Sequence, residues 1–130
     1  MADAATHLAI SARLVGAPIA IDDGRASARL VTLPEMAADD RGLVHGGFVF
    51  GLADYAGMLA VNDPNVVLGS AEVRFTAPVE VGEEVVATAR VTEAKGKMRA
   101  IEVRASVGDR IVLEGTLTAF VLDRHVLTKA

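Results

Sequence analysis

The hydrophobic pattern of this chain contains one long segment with no polar face. Between residues 42 and 62 every residue is glycine, apolar, Tyr, His or Asn except Asp54. We predict a helix from about Gly46 to Asn62, ended by Asp63-Pro64 because a residue before proline is pushed out of the α region. A helix that is apolar on all sides must be enclosed by the rest of the protein.

On both sides of this segment, apolar and polar residues alternate with the period of a β-strand. Directly after the helix, the odd-numbered residues from Val67 to Phe75 are apolar or small and are expected to share one face. Turn signals such as IDDG at residues 21–24 predict hairpins between strands. The predicted strands are residues 8–15, 25–33, 67–75, 84–91, 100–107 and 110–122.

One helix and five to six antiparallel strands predict an α+β fold. The 130 residues fit a single domain over residues 1–130. One sheet covers only one side of the helix, so the remaining surface needs a second cover. A sheet wrapped around a long central helix and paired with a second copy meets this need, which favours a homodimer or, as a dimer of dimers, a homotetramer.

The composition narrows the possible functions. A net charge of −4 argues against a nucleic-acid partner, which needs a basic face. The chain has no cysteine, and its three histidines lie too far apart in sequence to suggest a metal site. The N-terminus lacks a signal-peptide pattern, and the glycines and Asp54 favour a buried helix over a membrane span. We therefore expect no metal, no membrane partner and a cytoplasmic location.

The lone carboxylate of the helix has small neighbours. On a helical wheel Asp54 shares its face with Gly47, Gly51 and Gly57. Each glycine costs about 1 kcal/mol relative to alanine in a helix, so we expect another helix or a ligand to approach closely here. Met58 and Val61 lie on the same face and either line an acyl pocket or belong to the core. Without further context, Asp54 could also be a structural carboxylate.

The start of the helix supplies a second chemical group. The first N–H groups of a helix have no internal partner and carry the positive end of the dipole, so Gly46 N–H can polarise a carbonyl. Gly46 and Asp54 are eight residues apart, or about 12 Å of helix, so one carbonyl cannot contact both within a chain. Antiparallel helices of two subunits would bring the two groups together in a composite acyl-transfer site, two per dimer.

The segment HGGFVFGLAD, residues 45–54, resembles the signature of hotdog-fold acyl-CoA thioesterases of the phenylacetate-degradation type. In that family HGG opens the central helix and an acidic residue follows eight positions after the first glycine. VRFTAPVEVGEEVVATARV and EGTLTAF are similar to its strand and turn patterns, so the resemblance covers roughly residues 25–121. It implies the hotdog fold, with Asp54 as the catalytic carboxylate and Gly46 N–H as the donor to the thioester carbonyl.

The resemblance also implies a surrounding set of substrate-binding residues. Asp39 stands seven residues before Gly46, where relatives often have Asn or Gln. Met58 takes the place of a water-orienting Ser or Thr, for which Ser70 is the nearest candidate. His45 either fixes the helix start or contacts substrate together with Gly47. The basic turn of Lys95, Lys97 and Arg99 either binds coenzyme A phosphates or is a solvated hairpin.

We predict that the protein hydrolyses an acyl-CoA thioester to a free acid and coenzyme A, with Asp54 as general base or nucleophile and with no cofactor. The alternative is a non-catalytic acyl-CoA-binding protein with a structural Asp54. A hotdog dehydratase or hydratase is disfavoured because those relatives carry a differently spaced His and acid.

Overall fold

A computed structural model describes residues 2–129, within which the chain forms one α-helix and six strands. The elements are β1 (Ala17–Asp22), β2 (Arg25–Val31), α1 (Gly46–Val61), β3 (Val66–Phe75), β4 (Glu84–Lys95), β5 (Met98–Val107) and β6 (Arg110–Val121). All neighbouring strands are antiparallel, in the order β1-β2-β4-β5-β6-β3, and α1 contacts all six. The sheet wraps around one central helix, which confirms the predicted α+β hotdog fold.

The core lies between α1 and the inner face of the sheet. Leu52, Ala56 and Leu59 of the helix are fully buried, as are Ile101 and Leu113 of the strands. Alternate residues of β4, β5 and β6 supply most of the sheet side because successive side chains of a strand point to opposite faces. The helix therefore has the sheet on one side, as its apolar sequence requires.

Both ends of α1 agree with the sequence prediction. His45 precedes the helix in an extended conformation, and the helix ends at Val61. Asn62 follows as the cap in the left-handed conformation, with its N–H bonded to the Met58 carbonyl. The Asn62 side chain also holds the N-terminal segment, accepting from Ala5 N–H at 2.8 Å and donating to the Asp3 carbonyl at 3.0 Å.

The predicted strand at residues 8–15 is wrong. This segment forms turns, with Val15 N–H bonded to the Ser11 carbonyl and Gly16 N–H bonded to the Ala12 carbonyl. Ser11 stabilises the turn because its hydroxyl also accepts from Leu14 N–H at 3.2 Å. The first strand is instead β1, which tolerates Pro18 because it lies at the sheet edge and has an irregular register there. The predicted hairpin turn at residues 21–24 is confirmed, since β1 and β2 pair on both sides of it.

The single alternation predicted for residues 67–75 is interrupted by a bulge. The register of β3 shifts between Leu68 and Ser70, which exchanges the faces of the residues on either side. After the bulge, Ala71 and Phe75 pair with Leu117 and Leu113, which are buried against the helix. Ala71 and Phe75 thus face the helix side of the sheet, yet both are exposed because β3 is an edge strand. Part of the inner face is therefore uncovered in the single chain.

In the described part of the chain, no helix has the length and apolar character needed to cross a membrane.

Candidate functional site

The start of α1 is held by the loop before it and leaves two amides unpaired. His45 N–H donates to the Met36 carbonyl at 2.9 Å, and Phe48 N–H turns back to the His45 carbonyl. Within residues 2–129, the N–H groups of Gly46 and Gly47 have no hydrogen-bond acceptor. These two amides sit at the positive end of the helix dipole, so they can receive an anion or a polarised carbonyl oxygen.

The His45 side chain lies next to the first residues of the helix. Its ring is exposed and packs edge-on to Phe48, with the ring centroids 6.2 Å apart. A Cβ built on Gly47 would lie 3.1 Å from the His45 ring. The absence of a side chain at position 47 therefore gives His45 its space, and the ring borders the two unpaired amides.

The Asp39 side chain stabilises the loop that precedes α1. Its Oδ1 accepts from the N–H groups of Arg41 at 3.0 Å and Leu43 at 3.1 Å. This is an Asx-type turn, in which an acidic side chain replaces backbone acceptors. The carboxylate is thus stabilised by two amide donors of its own loop.

The Asp54 carboxyl group lies midway along the helix without a partner. Its Oδ1 is buried and makes no hydrogen bond to the described residues. Removal from water disfavours the charged form, and burial raises the pKa of Asp54 from 3.8 to about 6. Buried polar atoms almost always have a hydrogen-bond partner. The unpaired Oδ1 of Asp54 is therefore the strongest indication of a functional residue among residues 2–129.

The glycines near Asp54 fall into two groups. A Cβ built on Gly57 would lie 2.7 Å from Leu117 Cδ1, so Gly57 allows the helix to pack on the sheet. A Cβ on Gly51 would meet nothing within 4 Å. Gly51, together with the exposed Gly47, leaves a strip of α1 next to Asp54 uncovered in the single chain. Close approach by another molecule is thus possible at these two positions and not at Gly57.

The other proposed substrate residues are more scattered. Met58 is 1% exposed and belongs to the core, so it offers no open surface in the single chain. Val61 is half-buried at the end of α1, about 10 Å along the axis from Asp54. Ser70 is exposed on β3 directly after the bulge and pairs with Thr118.

The basic turn between β4 and β5 is largely occupied by its own contacts. Lys97 Nζ lies 3.1 Å from a carboxylate oxygen of Asp123. The Arg99 guanidinium donates to the carbonyls of Gly96 and Met98 at 2.8 and 2.9 Å. Only Lys95 has no ion pair or side-chain hydrogen bond with the described residues. These contacts favour the structural interpretation of the turn.

Sequence reasoning missed a cavity beside Gly46 and the aromatic ring that borders it. The cavity has a volume of about 390 Å³, and its wall includes Gly46, Val49, Phe75 and Val112. A Cβ on Gly46 would lie 3.2 Å from Phe75 Cε1, so the ring rests against the start of the helix. The available signal was the position of Phe75 at the end of an alternating strand. In residues 2–129, no group of three or more His, Asp or Glu side chains is arranged to hold a metal ion.

The sheet wrapped around one helix, with unpaired amides at the helix start and a carboxylate that has no partner among residues 2–129, is the hotdog architecture with a candidate site on its central helix. The chain belongs to the Thioesterase superfamily, whose family model matches residues 41–114.

Two relatives match this chain over only part of their own length. A methylthioribose-1-phosphate isomerase from Aquifex aeolicus is 50% identical over 122 residues, 93% of this chain but 27% of its own length. Transcription factor FapR from Bacillus velezensis is 31% identical over 101 residues, 75% of this chain and 53% of its own length. The chain thus spans about a quarter of the first relative and about half of the second.

Two solved structures match over most of both chains. An uncharacterized protein from Pyrococcus horikoshii is 53% identical, with a TM-score of 0.96 and 98% of each chain covered. A mutant of the phenylacetic acid degradation protein PaaI from Thermus thermophilus is 26% identical, with a TM-score of 0.77, covering 84% of this chain and 95% of its own. The similarity to PaaI extends along most of the domain.

Proposed function

We propose that the protein hydrolyses acyl-CoA thioesters to a free acid and coenzyme A. The observation that carries this proposal is the buried, partnerless Oδ1 of Asp54 on an otherwise apolar helix. A pKa of about 6 leaves this carboxyl group mostly ionised at neutral pH and still basic enough to accept a proton. Family membership and the similarity to PaaI support the same reaction class.

The chemistry needs only groups that the chain supplies. Gly46 N–H donates to the thioester carbonyl oxygen and stabilises the negative charge that develops there. Asp54 either takes a proton from the attacking water or attacks the carbonyl carbon itself, forming a mixed anhydride that water then cleaves. In both routes the carbon–sulfur bond breaks and the coenzyme A thiolate takes up a proton. The overall reaction requires no metal or redox cofactor.

The site is proposed to form between two subunits. Within one chain, Gly46 and Asp54 are separated by about 12 Å along the helix, which is too far for one carbonyl. The uncovered strip at Gly47 and Gly51 allows a partner helix to approach, and the exposed end of β3 lies on the same side of the sheet. Antiparallel pairing of two copies would place Gly46 of one subunit opposite Asp54 of the other, giving a homodimer, or a homotetramer if dimers associate.

A thiol-release assay tests the proposal directly. The chain has no cysteine, so a thiol reagent reports only released coenzyme A. Short, medium, long-chain and aryl acyl-CoAs form the panel, and Asp54→Asn should lose about 10²–10⁴-fold in kcat/KM on the best substrate. Asp109→Asn, an exposed turn residue, is the matched control and should keep full activity. If Asp54→Asn folds, dimerises and hydrolyses as fast as the parent, Asp54 has no catalytic role.

FapR is a transcription factor, so the similarity to it favours a second candidate without hydrolytic activity, which we propose to be an acyl-CoA-binding domain. This alternative predicts tight binding of acyl-CoA by calorimetry with no thiol release from any member of the panel. It also predicts equal binding by the parent and Asp54→Asn.

A further inference from the structure

The cavity beside Gly46 has the position and chemistry of an acyl-group pocket. We propose that it receives the acyl chain of the substrate and that Phe75 covers the part of that chain next to the thioester. The inferred substrates are thioesters of uncharged, apolar acids of short to medium length. This inference rests on the proposed function and names its substrate class.

The cavity combines a rigid floor with an exposed rim. Val49, Val79 and Val112 form part of the floor and are 1–3% exposed, so the packed core holds them in place. Phe75 and Leu43 form part of the rim and are 54% and 43% exposed. Such large apolar side chains gain from covering an apolar ligand, because ligand binding removes their surface from water.

Apart from the Gly46 amide, which is assigned to the thioester carbonyl, the wall of the cavity offers no partner to a charged acyl group. No charged side chain lines it, and the one hydroxyl of the wall, from Thr76, already donates to the Ile111 carbonyl at 2.7 Å. A carboxylate at the end of the acyl chain would lose its water without gaining a cation. The pocket therefore favours hydrocarbon and rejects the thioesters of dicarboxylic acids.

Phe75 lines the cavity next to the start of the helix. Its ring rests against Gly46, whose N–H is the proposed donor to the thioester carbonyl. A carbonyl oxygen bound to this amide would direct the attached chain past the Phe75 ring into the cavity. The volume of about 390 Å³ holds at most about a dozen methylene-sized groups, taking roughly 30 Å³ for each. Because the cavity is open to solvent, chains longer than about a dozen carbons should extend into water.

Binding of S-alkyl-CoA thioethers tests the pocket independently of hydrolysis. In the parent, the dissociation constant should fall about fourfold per added methylene and level off at or before about a dozen carbons. Phe75→Ala should weaken binding of an eight-carbon chain by about tenfold because the ring no longer covers it, and Phe75→Trp, which narrows the entrance, should weaken it as well. An S-alkyl chain ending in a carboxylate should bind at least about 10²-fold more weakly than its uncharged isostere.

Phe120→Ala is the matched control, because Phe120 is also a partly exposed ring on the sheet but does not line the cavity. It should leave the chain-length profile unchanged. The inference fails if Phe75→Ala and Phe75→Trp keep the profile of the parent, if affinity does not depend on chain length, or if the carboxylated chain binds equally well. The substitutions at Phe75 could change length-dependent binding while no acyl-CoA releases thiol. That result would refute the hydrolytic function but support the proposed pocket.

Discussion

Replacing Asp54 with asparagine should stabilise the fold at neutral pH, whereas most substitutions of buried residues destabilise a protein. An unfolded aspartate ionises near pH 3.8, but the folded protein retains the Asp54 proton until about pH 6. The parent therefore loses stability as the pH rises from about 4 to 6, and the full cost of the buried charge is present above pH 6. Asparagine has nearly the same shape and never bears this charge.

The expected size follows from the two pKa values. The difference between 3.8 and about 6 corresponds to roughly 3 kcal/mol of unfolding free energy at pH 8, as an upper limit. In a domain of this size, that is on the order of 10 °C in Tm. Near pH 4 the carboxyl group is largely protonated in the folded state, so the two proteins should differ little.

Urea unfolding from pH 4.5 to 8.5 provides the measurement. All proteins must be compared at one concentration, because the apparent stability of a dimer depends on it. Asp109→Asn, which removes an exposed charge, corrects for the general effect of losing a carboxylate. A stability difference that does not vary with pH, or an Asp54→Asn protein less stable than the parent at pH 8, would refute the reasoning and indicate a structural carboxylate.

Four further outcomes are expected. The kcat/KM for thioester hydrolysis should rise with pH through about 6 and level off above it, because Asp54 must be ionised to act; a profile that is flat from pH 5 to 7 would contradict this role. Gly46→Ala should lower kcat by about 10²–10³-fold with the fold retained by circular dichroism, since the new methyl group meets only the movable ring of Phe75. Gly51→Ala should stabilise each subunit by up to about 1 kcal/mol because alanine favours the helix more than glycine does. It should also raise the dissociation constant of the dimer at least about tenfold, as measured by analytical ultracentrifugation. An unchanged dissociation constant would show that no partner helix packs against Gly51. Asp39→Ala should cost roughly 0.5–1.5 kcal/mol of unfolding free energy because two exposed amides exchange the carboxylate for water, whereas Asp39→Asn should cost less.

The proposed catalytic pair was visible in the sequence because it depends on local geometry. The spacing of Gly46 and Asp54 on one helix, and the lack of intrahelical partners at its start, follow from helix geometry alone. The contacts of each glycine could not be predicted from helix geometry. Gly57 turns out to contact the sheet and Gly51 does not, and this depends on how the helix is rotated against β5 and β6.

The N-terminal segment shows a second limit. The alternation at residues 8–15 fits a short strand, but the spacing of Ile10 and Leu14 fits one helical turn equally well. The turn at Ser11–Gly16 forms because the Ser11 hydroxyl and nearby carbonyls accept its amide hydrogens. In short apolar segments, tertiary contacts decide between strand and helical turn.

The sequence by itself determined the helix, its two ends, the lone carboxylate and the alternation of three later strands, β4, β5 and β6, because each depends on neighbours within a few residues. Tertiary structure decided three other features: the bulge that reverses the faces of β3, the partnerless state of Asp54 Oδ1, and the cavity that Phe75 and Gly46 share. These features depend on which distant residues pack together, and a wrapped sheet brings together residues that lie far apart in the chain.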